Sequence, residues 1–386
     1  MHEFSYYQPT RIHFGWGIIK QVDEMVKRWG KRCLLVTGPV SGALHDHYEK
    51  IKAQLKDNGI RVEHFSGVVP NPTTESIGEG SRMARDFSAE VVLGMGGGSS
   101  MDSAKAIAVE AVGSGPAWQY RIFGEKPIPP QTLPVLAVST TSGTGSQVTA
   151  VAVLTNPAER FKSALVHPLL FPKECVVDPE LMLTLPPHIT ASTGFDVFSH
   201  SFESYIHKNA NPYTDLLALE AIQLTRTYLP KAIKDGLDRE SRIQMAWADT
   251  LGGLCIANSG TTLPHGIGMA VGGSAPHVMH GEALAVIYPE FLRFTWKSVP
   301  EKFATLARIF DPSLRNMPDM EAAGKTPFLL EHFLEEIGLK VTFRDLGISQ
   351  EDANAIVEDS LKLPDYTANP RIPTKEEIGE IVQKCL

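Results

Sequence analysis

Four side chains in the second half of the chain are of the types that bind a divalent cation. Asp196 and His200 lie four residues apart in a segment of helical periodicity, and this spacing places both side chains on one face of a helix. His265 and His280 follow later in the chain, each beside a glycine. One carboxylate and three neutral imidazoles form a donor set that suits Fe²⁺ or Zn²⁺, so the pattern predicts a metal site.

The residues that flank this pair favour a buried position for it. Phe195, Phe198 and Phe202 surround Asp196 and His200 in the sequence, and a buried carboxylate and imidazole need partners. Two alternatives require no metal. Each histidine could be an ordinary hydrogen-bonded residue, and the pair could be an i,i+4 contact on a solvated helix face. The spacing alone leaves these alternatives open.

A second group of residues has the composition of a phosphate-binding turn. Three glycines at positions 96–98 follow an apolar run and precede a helical segment. Glycines let the backbone approach an anion closely, and the free amides and dipole of the next helix attract it. Ser99 or Ser100 could cap that helix, and Asp102 in its first turn would suit the dipole. The run is neither a Rossmann fingerprint nor a P-loop, and a turn that binds nothing is the alternative.

A second polar loop strengthens the case for a ligand. Residues 139–146, STTSGTGS, are rich in hydroxyl groups and come directly after another apolar run. Open α/β sheets bind ligands at the carboxyl ends of their strands. Two polar loops at predicted strand ends therefore favour a ligand site more than one loop does.

The elements that must position these residues change in kind along the chain. In the first half, apolar strand-like runs at 33–37, 62–65 and 133–140 alternate with helical segments such as 46–58 and 74–87. Such alternation predicts a parallel sheet covered by helices. After Pro186-Pro187 the periodicity is helical, at 189–206, 215–228 and 241–257. We predict an α/β domain over 1–184 and an all-helical domain over 185–386, with the cleft between them as the expected site.

Composition excludes several classes of protein. A formal net charge of -8 argues against a nucleic-acid or anionic membrane partner, because such surfaces do not attract an acidic protein. The first residues lack the basic segment and apolar core of a signal peptide, and no apolar run is long enough to span a bilayer. The four cysteines are scattered without a CxxC pair, which suits a reducing compartment. We expect a cytoplasmic enzyme.

Together these motifs resemble the iron-containing (group III) alcohol dehydrogenase family. The resemblance covers essentially the whole chain and rests on several motifs in order. They are IHFGWG at 12–17, NPT at 71–73, GGGSSMDSAK at 96–105, STTSGTGS at 139–146, DP at 178–179, GFDVFSHSFESY at 194–205, PHGIGMAV at 264–271, HGEALAVIYP at 280–289 and NPR at 369–371.

The resemblance implies a metal-dependent alcohol dehydrogenase, or aldehyde reductase, that moves a hydride between NAD or NADP and a small primary alcohol, diol or aldehyde. It also implies a Rossmann-like dinucleotide-binding domain followed by a helical metal-binding domain. The implied ligands of Fe²⁺, with Zn²⁺ as the alternative, are Asp196, His200, His265 and His280. The implied cofactor contacts are Gly38, Asn71, Gly96, Gly97, Gly98, Ser99, Asp102, Thr140, Thr141, Thr144 and Lys162.

Three positions depart from the family pattern. Met269 stands where many members have a second histidine that assists proton movement, so His277 or solvent would have to take that role. The spacing between the third and fourth histidines is one residue longer than the family pattern, so His277 and His280 compete for the fourth ligand position, and Gly281 favours His280. Gly38 stands where NAD-preferring members have an aspartate, which would bind the ribose diol and repel a 2′-phosphate. We therefore predict that NADP is accepted.

Other functions and an oligomeric state also follow from the sequence. A dehydroquinate-synthase-like lyase would need lysines and arginines around its anionic substrate. A maleylacetate-reductase-like enzyme and a catalytically inactive nucleotide-binding relative are further alternatives, and an inactive relative would not retain stoichiometric metal.

Residues 4–14 alternate apolar and polar side chains, which predicts an edge strand and a homodimer or higher homo-oligomer.

Overall fold

The structure contains one α/β unit and one helical unit, which is the fold class that the sequence predicts. It is a computed structural model and describes residues 3–40 and 44–386. The α/β unit is Gln8–Leu185. The helical unit comprises Pro186–Leu386 together with the N-terminal segment that ends at Tyr7.

A six-stranded parallel sheet forms the centre of the α/β unit. The strands of the unit are β1 (Arg11–Phe14), β2 (Arg32–Val36), β3 (Arg61–Phe65), β4 (Val91–Gly96), β5 (Val135–Ser139), β6 (Val151–Asn156), β7 (Phe161–Val166) and β8 (Glu174–Val177). The sheet has the order β1-β8-β5-β4-β2-β3, and β6 and β7 form a separate antiparallel hairpin.

Helices cover both faces of this sheet, which explains why its strands are continuous apolar runs. The helices of the unit are α1 (Val22–Lys27), α2 (His45–Asp57), α3 (Thr74–Phe87) and α4 (Gly98–Glu110). Successive residues of β2 point to opposite sides, so Leu34 and Val36 belong to one apolar core and Cys33 and Leu35 to the other.

The strand order reverses between β2 and β4. The chain runs from β2 outward to β3 and then returns to β4 on the opposite side of β2, with Val36 and Gly94 in register. Open α/β sheets bind ligands at such a switch point, outside the carboxyl ends of the strands. Gly38 and the glycine turn therefore follow neighbouring strands at the edge where a ligand is expected.

The helical unit is organised around one apolar core. Its helices are α5 (Pro187–Ile206), α6 (Pro212–Lys234), α7 (Arg239–Asn258), α8 (Leu263–Ser274), α9 (His280–Thr295), α10 (Pro300–Phe310), α11 (Asp319–Gly324), α12 (Thr326–Glu336), α13 (Gln350–Ser360) and α14 (Lys375–Lys384). Within α5 every residue from 194 to 206 is buried, so its polar side chains lie in the interior. Of the helices in the described part of the chain, none combines the length and the apolarity needed to cross a bilayer.

Several elements differ from the sequence prediction. The hairpin of β6 and β7 and the strand β8 were not predicted, because no α-helix separates the strands between β5 and α5 and the prediction rested on apolar runs that alternate with helical segments. The predicted edge strand at 4–14 is shorter in the structure, where only Arg11–Phe14 forms the outer strand β1. Self-association through this edge stays a prediction.

The buried carboxylate of Glu174 on β8 bonds to β1 and to the residues that follow α1. Glu174, at the start of β8, is 3% exposed and accepts hydrogen bonds from Arg28 and from the Trp29 indole, at 2.7 and 3.0 Å. The His13 ring on β1 lies 2.8 Å from the same carboxylate. Burial raises the pKa of Glu174, but the donors from Arg28, Trp29 and His13 lower it more, to about 2.

We expect Glu174→Gln to lower the free energy of unfolding at pH 7 by about 1–2 kcal/mol, a modest loss because Arg28 is partly exposed. The folded pKa of about 2 lies below the ordinary value of 4.5, so the contribution of the carboxylate is complete above the ordinary value and is lost as pH falls toward 2. Urea unfolding from pH 7 down to about pH 3 should show the gap to the wild type narrowing below about pH 5. Glu63→Gln, at an exposed position of β3, is the control, and an equal gap at every pH would contradict the assignment.

Candidate metal centre

The first two predicted ligands lie on the interior helix α5. Asp196 and His200 are both buried, at 3% and 5% exposure, and His200 Nε2 lies 3.6 Å from Asp196 Oδ1. The spacing of four residues places them on one face of the helix, as predicted. The neighbours Phe195 and Phe198 point elsewhere and pack against Tyr288, which keeps this part of α5 in the core.

The other two predicted ligands come from the starts of α8 and α9. His265 Nε2 lies 3.5 Å from Asp196 Oδ1, and His280 Nε2 lies 4.0 Å from the same oxygen. The imidazole of His265 stacks on that of His200 and meets that of His280 edge to face, with ring centroids 4.7 and 5.1 Å apart. The structure therefore brings all four predicted side chains to one place. We call them the four-residue cluster.

Three of the four side chains offer ligand atoms that lie close enough together to hold a cation. One ligand atom each from Asp196, His265 and His280 lies within 4.8 Å of the other two. Among the described residues, Asp196 Oδ1 and His265 Nε2 are buried and make no hydrogen bond. Unpartnered buried polar atoms are costly. A carboxylate oxygen and imidazole nitrogens facing one another at this separation would be satisfied together by Fe²⁺ or Zn²⁺.

Asp196 and His265 of the four-residue cluster have shifted pKa values. Burial raises the pKa of Asp196, but the nearby imidazoles of His200, His265 and His280 lower it more, so that it falls well below its ordinary value. Burial lowers the pKa of His265, but the carboxylates of Glu203 and Asp196 raise it to about 10. Large pKa shifts caused by neighbouring charges in a small buried group of side chains are typical of a functional site.

Sequence reasoning missed one residue of this site. Glu203 is fully buried on α5, and its Oε1 lies 2.7 Å from His265 Nδ1. A signal was available, because Asp196, His200 and Glu203 stand at i, i+4 and i+7 and so share a helix face.

His277, the alternative fourth ligand and suggested proton relay, is not part of the cluster. Its side chain is exposed, and its Nε2 lies 3.0 Å from the carbonyl oxygen of Leu346. Met269 is half-buried on α8, one helical turn after His265. The structure thus brings His280 rather than His277 beside Asp196, and the relay role of His277 stays a prediction.

The predicted phosphate-binding turn packs against the second polar loop in the α/β unit. A Cβ on Gly98 would lie 2.6 Å from Thr144 Cγ2, and one on Gly97 would lie 3.2 Å from Thr141 Cγ2. Thr140 N donates to the carbonyl of Gly96 at 3.0 Å. Glycine at position 98 is therefore needed for the close approach of the two loops.

Two details of this turn differ from the sequence prediction. Neither Ser99 nor Ser100 caps α4. The helix begins at Gly98 with Gly97 as N-cap and has no side-chain cap. Asp102 lies beyond the first turn, which holds no acidic residue. The backbone amides at the start of α4 are thus left without a capping side chain, as a phosphate-binding turn would require.

Asp102 is bonded to the end of the polar loop and to β6, and it lies beside a buried lysine, Lys105, for which the sequence predicted no role. Asp102 accepts hydrogen bonds from Ser146 Oγ at 2.6 Å and Val153 N at 3.0 Å. Lys105, fully buried on α4, lies 3.8 Å from Asp102 and donates to the carbonyls of Ser146 and Val151. Burial lowers the pKa of Lys105 to about 8. Its signal in the sequence was a lone lysine in the apolar run of α4.

Two further predicted cofactor residues lie together. Lys162 on β7 is 6% exposed, and its Nζ donates to Asn71 Oδ1 at 2.8 Å. Asn71 has a φ of 53°, a left-handed backbone conformation that asparagine tolerates better than most residues. Gly38 lies apart from this pair, after β2, and accepts a hydrogen bond from Thr37 Oγ1.

The position of His280 depends on a close contact between α9 and α5. Gly281 follows His280, and a Cβ on Gly281 would lie 1.9 Å from the carbonyl oxygen of Ser192. Ser192 precedes Asp196 by one helical turn. Any side chain at position 281 would therefore force α9 away from α5 and His280 away from Asp196.

We expect Gly281→Ala to weaken Zn²⁺ binding by at least about tenfold and to lower the free energy of unfolding by about 1–3 kcal/mol through overpacking. The matched control is Gly379→Ala in α14, where the added Cβ has no heavy atom of the described residues within 4 Å beyond its chain neighbours and its own helix backbone. Zn²⁺ competition with a chromophoric chelator and urea unfolding measure both effects. Equal Zn²⁺ affinity in the two variants would show that the contact does not position His280.

Two sequence models of one enzyme family match this chain. The model described as "Iron-containing alcohol dehydrogenase" matches residues 9–179. The model described as "Fe-containing alcohol dehydrogenase family, C-terminal" matches residues 190–386. The two matched ranges together cover nearly the whole sequence and do not overlap.

Individual relatives agree with these models. The chain is 35% identical to a choline dehydrogenase of Bacillus subtilis (strain 168), covering 100% of this chain and 96% of the relative. It is 31% identical to an NAD-dependent methanol dehydrogenase of Bacillus methanolicus, covering 99% and 100%. The crystal structure of an archaeal halo-thermophilic Red Sea brine pool alcohol dehydrogenase superposes with a TM-score of 0.95 at 34% identity, covering 100% of both chains. The chain belongs to the iron-containing alcohol dehydrogenase family.

Proposed function

We propose that this protein is a metal-dependent alcohol dehydrogenase that uses NAD or NADP, with Asp196, His200, His265 and His280 as the metal ligands. One observation carries the proposal. The Oδ1 of Asp196 is buried without a hydrogen bond, at 3.5 to 4.0 Å from nitrogens of three imidazoles. A purely structural cluster would satisfy such an oxygen with a donor.

The residues of the centre have distinct tasks. Bound there, a divalent cation supplies Lewis-acid chemistry toward an alcohol or carbonyl oxygen, and the nicotinamide cofactor carries the hydride. Asp196 contributes the anionic ligand, and the three imidazoles contribute neutral ones. Because α5 is buried, bulk water is kept from the carboxylate side of the cluster.

The surroundings of the cluster do not favour a lyase with an anionic substrate. Such an enzyme would need lysines and arginines around its substrate, whereas the groups that act on Asp196, His265 and Asp365 are histidines, Thr261 and carboxylates. The matched family and relatives likewise do not favour the lyase, the maleylacetate-reductase-like enzyme or an inactive relative.

The cofactor site of the proposal is the carboxyl edge of the parallel sheet. Gly96, Gly97, Gly98 and Ser99 would hold the pyrophosphate at the start of α4, with Thr140, Thr141 and Thr144 on the loop packed against it. Asn71 and Lys162, which are hydrogen-bonded to each other, would add polar contacts. Asp102 would act through the loop, because its carboxylate accepts hydrogen bonds from Ser146 and Val153.

Removal of the metal tests the central claim. Protein stripped with a chelator is expected to lose at least about 100-fold in kcat/KM on a panel of primary alcohols, diols and aldehydes assayed with both cofactors. Adding back Fe²⁺ or Zn²⁺ should restore the activity, and the panel would identify the preferred substrate.

Asp196→Asn is the control for that experiment. It keeps the shape of the side chain but removes the charge, so added metal should not restore the activity of the stripped variant. If the stripped wild type turned over its best substrate at full rate, the proposed function would be wrong.

Gly38 gives a prediction about cofactor choice. Among the described residues other than its two chain neighbours, no heavy atom lies within 4 Å of a Cβ built on Gly38, so the backbone accepts a Cβ at this position. We expect the wild type to use NADPH and Gly38→Asp to lower the ratio of kcat/KM for NADPH over NADH by at least about tenfold, since a carboxylate repels the 2′-phosphate and accepts the ribose hydroxyls.

Gly38→Asn is the matched variant, because asparagine has the same size and can bond the ribose without repelling a phosphate. It should shift the ratio much less than Gly38→Asp. A large preference of the wild type for NADH would refute the prediction that NADP is accepted.

A further inference from the structure

Glu203 bonds to two residues at the start of α8, His265 and Thr262, and also accepts a hydrogen bond from Tyr288 on α9. Its side chain is fully buried, and no other charge on α5 lies between it and His200. Oε1 lies 2.7 Å from His265 Nδ1, and Oε2 accepts from Thr262 N at 2.8 Å and Thr262 Oγ1 at 3.2 Å. Thr262 is the N-cap residue of α8. Glu203 thus connects α5 to the first turn of α8, which carries His265.

We propose that Glu203 is a positioning residue that holds His265 as a metal ligand by keeping its ring proton on Nδ1. The proposal rests on the proposed function, since it requires the metal centre to exist. With the Nδ1–H donating to Glu203, the lone pair of Nε2 is directed toward Asp196 Oδ1, 3.5 Å away. An outer carboxylate that orients a ligating imidazole and raises its basicity is a recurrent feature of metal sites.

Thr262 is the reason that a carboxylate is needed. Its backbone N–H can only donate, and it points at Oε2. Both oxygens of a carboxylate accept, so Glu203 can receive Thr262 N–H and His265 Nδ1–H at once. A glutamine at this position would turn its oxygen to Thr262 and its NH₂ group to His265. The imidazole would then have to accept at Nδ1 and carry its proton on Nε2, where it would block a metal.

Charge supports the same assignment. The buried carboxylates of Asp196 and Glu203 carry two negative charges in one small region, and a divalent cation would neutralise both. Buried charges are tolerated when they are compensated in this way. Replacing Glu203 with glutamine would remove one of the negative charges that compensate the cation and would weaken binding further.

Tyr288 provides a matched control beside the same carboxylate. Its hydroxyl lies 3.3 Å from Glu203 Oε1 and 3.2 Å from the carbonyl oxygen of Ser199. Tyr288→Phe removes this hydroxyl from a buried position yet leaves the contacts of Glu203 with His265 and Thr262 intact. It therefore tests whether the loss of any polar contact to Glu203 weakens metal binding to the same extent.

The experiment measures the binding of Zn²⁺ and Co²⁺ to the full chain by competition with a chromophoric chelator. Glu203→Gln should bind both metals about 10- to 100-fold more weakly than the wild type, and its Co²⁺ complex should have an altered d–d absorption spectrum. Tyr288→Phe should differ from the wild type by less than about threefold. Urea unfolding of each metal-free protein separates a loss of ligand positioning from a loss of stability.

The outcomes are distinct. If Glu203→Gln binds Zn²⁺ as tightly as the wild type, or if Tyr288→Phe loses as much affinity, Glu203 does not have the proposed role. If Glu203→Gln and the wild type bind Zn²⁺ equally while the wild type depends on metal for activity, only this inference fails. If the wild type binds no metal at all, the proposed function fails with it.

A measurement on the wild type decides the question if the glutamine variant does not fold. In Zn²⁺-loaded protein with ¹⁵N-labelled histidine, the NMR signals of His265, assigned by their loss in His265→Asn, should show the proton on Nδ1. A proton on Nε2 of His265 would overturn the proposal.

Discussion

The arrangement of the helical unit depends on one constraint: the carboxylate of Asp196 is buried where three imidazoles converge on one of its oxygens. Burying a carboxylate is costly unless charge and geometry compensate for it. Compensation here requires α5, α8 and α9 to meet at their ligand-bearing positions, with nitrogen–oxygen distances of 3.5 to 4.0 Å. The close contact of Gly281 with Ser192 follows from this requirement, because α9 must approach α5 within one turn of Asp196.

In the α/β unit, two loops rich in glycine and hydroxyl side chains have little apolar surface of their own to order them. Lys105 and Asp102 order the second of these loops from the interior of the protein. Both bond to the segment from Ser146 to Val153 that follows the polar loop. A buried lysine loses solvation, as the lowered pKa of about 8 indicates, and the carbonyls it meets offset that loss. The end of the loop is therefore anchored to α4 from the interior of the protein.

The sequence predicted most of the fold and the members of the site, but not the contacts that hold them. Periodicity located α3 at Thr74–Phe87 and α5 nearly to the residue, because both elements are long and have a regular apolar pattern. It missed β8 and the hairpin, which no α-helix separates from one another, and it misplaced the start of α4, because the N-cap Gly97 has no side chain to signal it. The four-residue cluster was predicted from residue types and the family resemblance. Glu203 was overlooked although it shares a helix face with Asp196 and His200, because its partners Thr262 and His265 stand 59 and 62 residues later in the sequence.

A comparison of two buried ionic groups illustrates how a ligand site can be distinguished from a structural network. Lys105 and Asp102 direct their charged atoms at donors and acceptors of the chain itself, so their network is complete. Beside Asp196 the outer nitrogen of His265 is also satisfied, because Glu203 contacts its Nδ1 and accepts from Thr262. The inner atoms are not, since Asp196 Oδ1 and His265 Nε2 face each other among the described residues without a hydrogen bond. A ligand residue that is held on its outer side and unsatisfied on its inner side is what a binding site for a small cation requires, and this contrast supports the metal centre more strongly than the presence of histidines does.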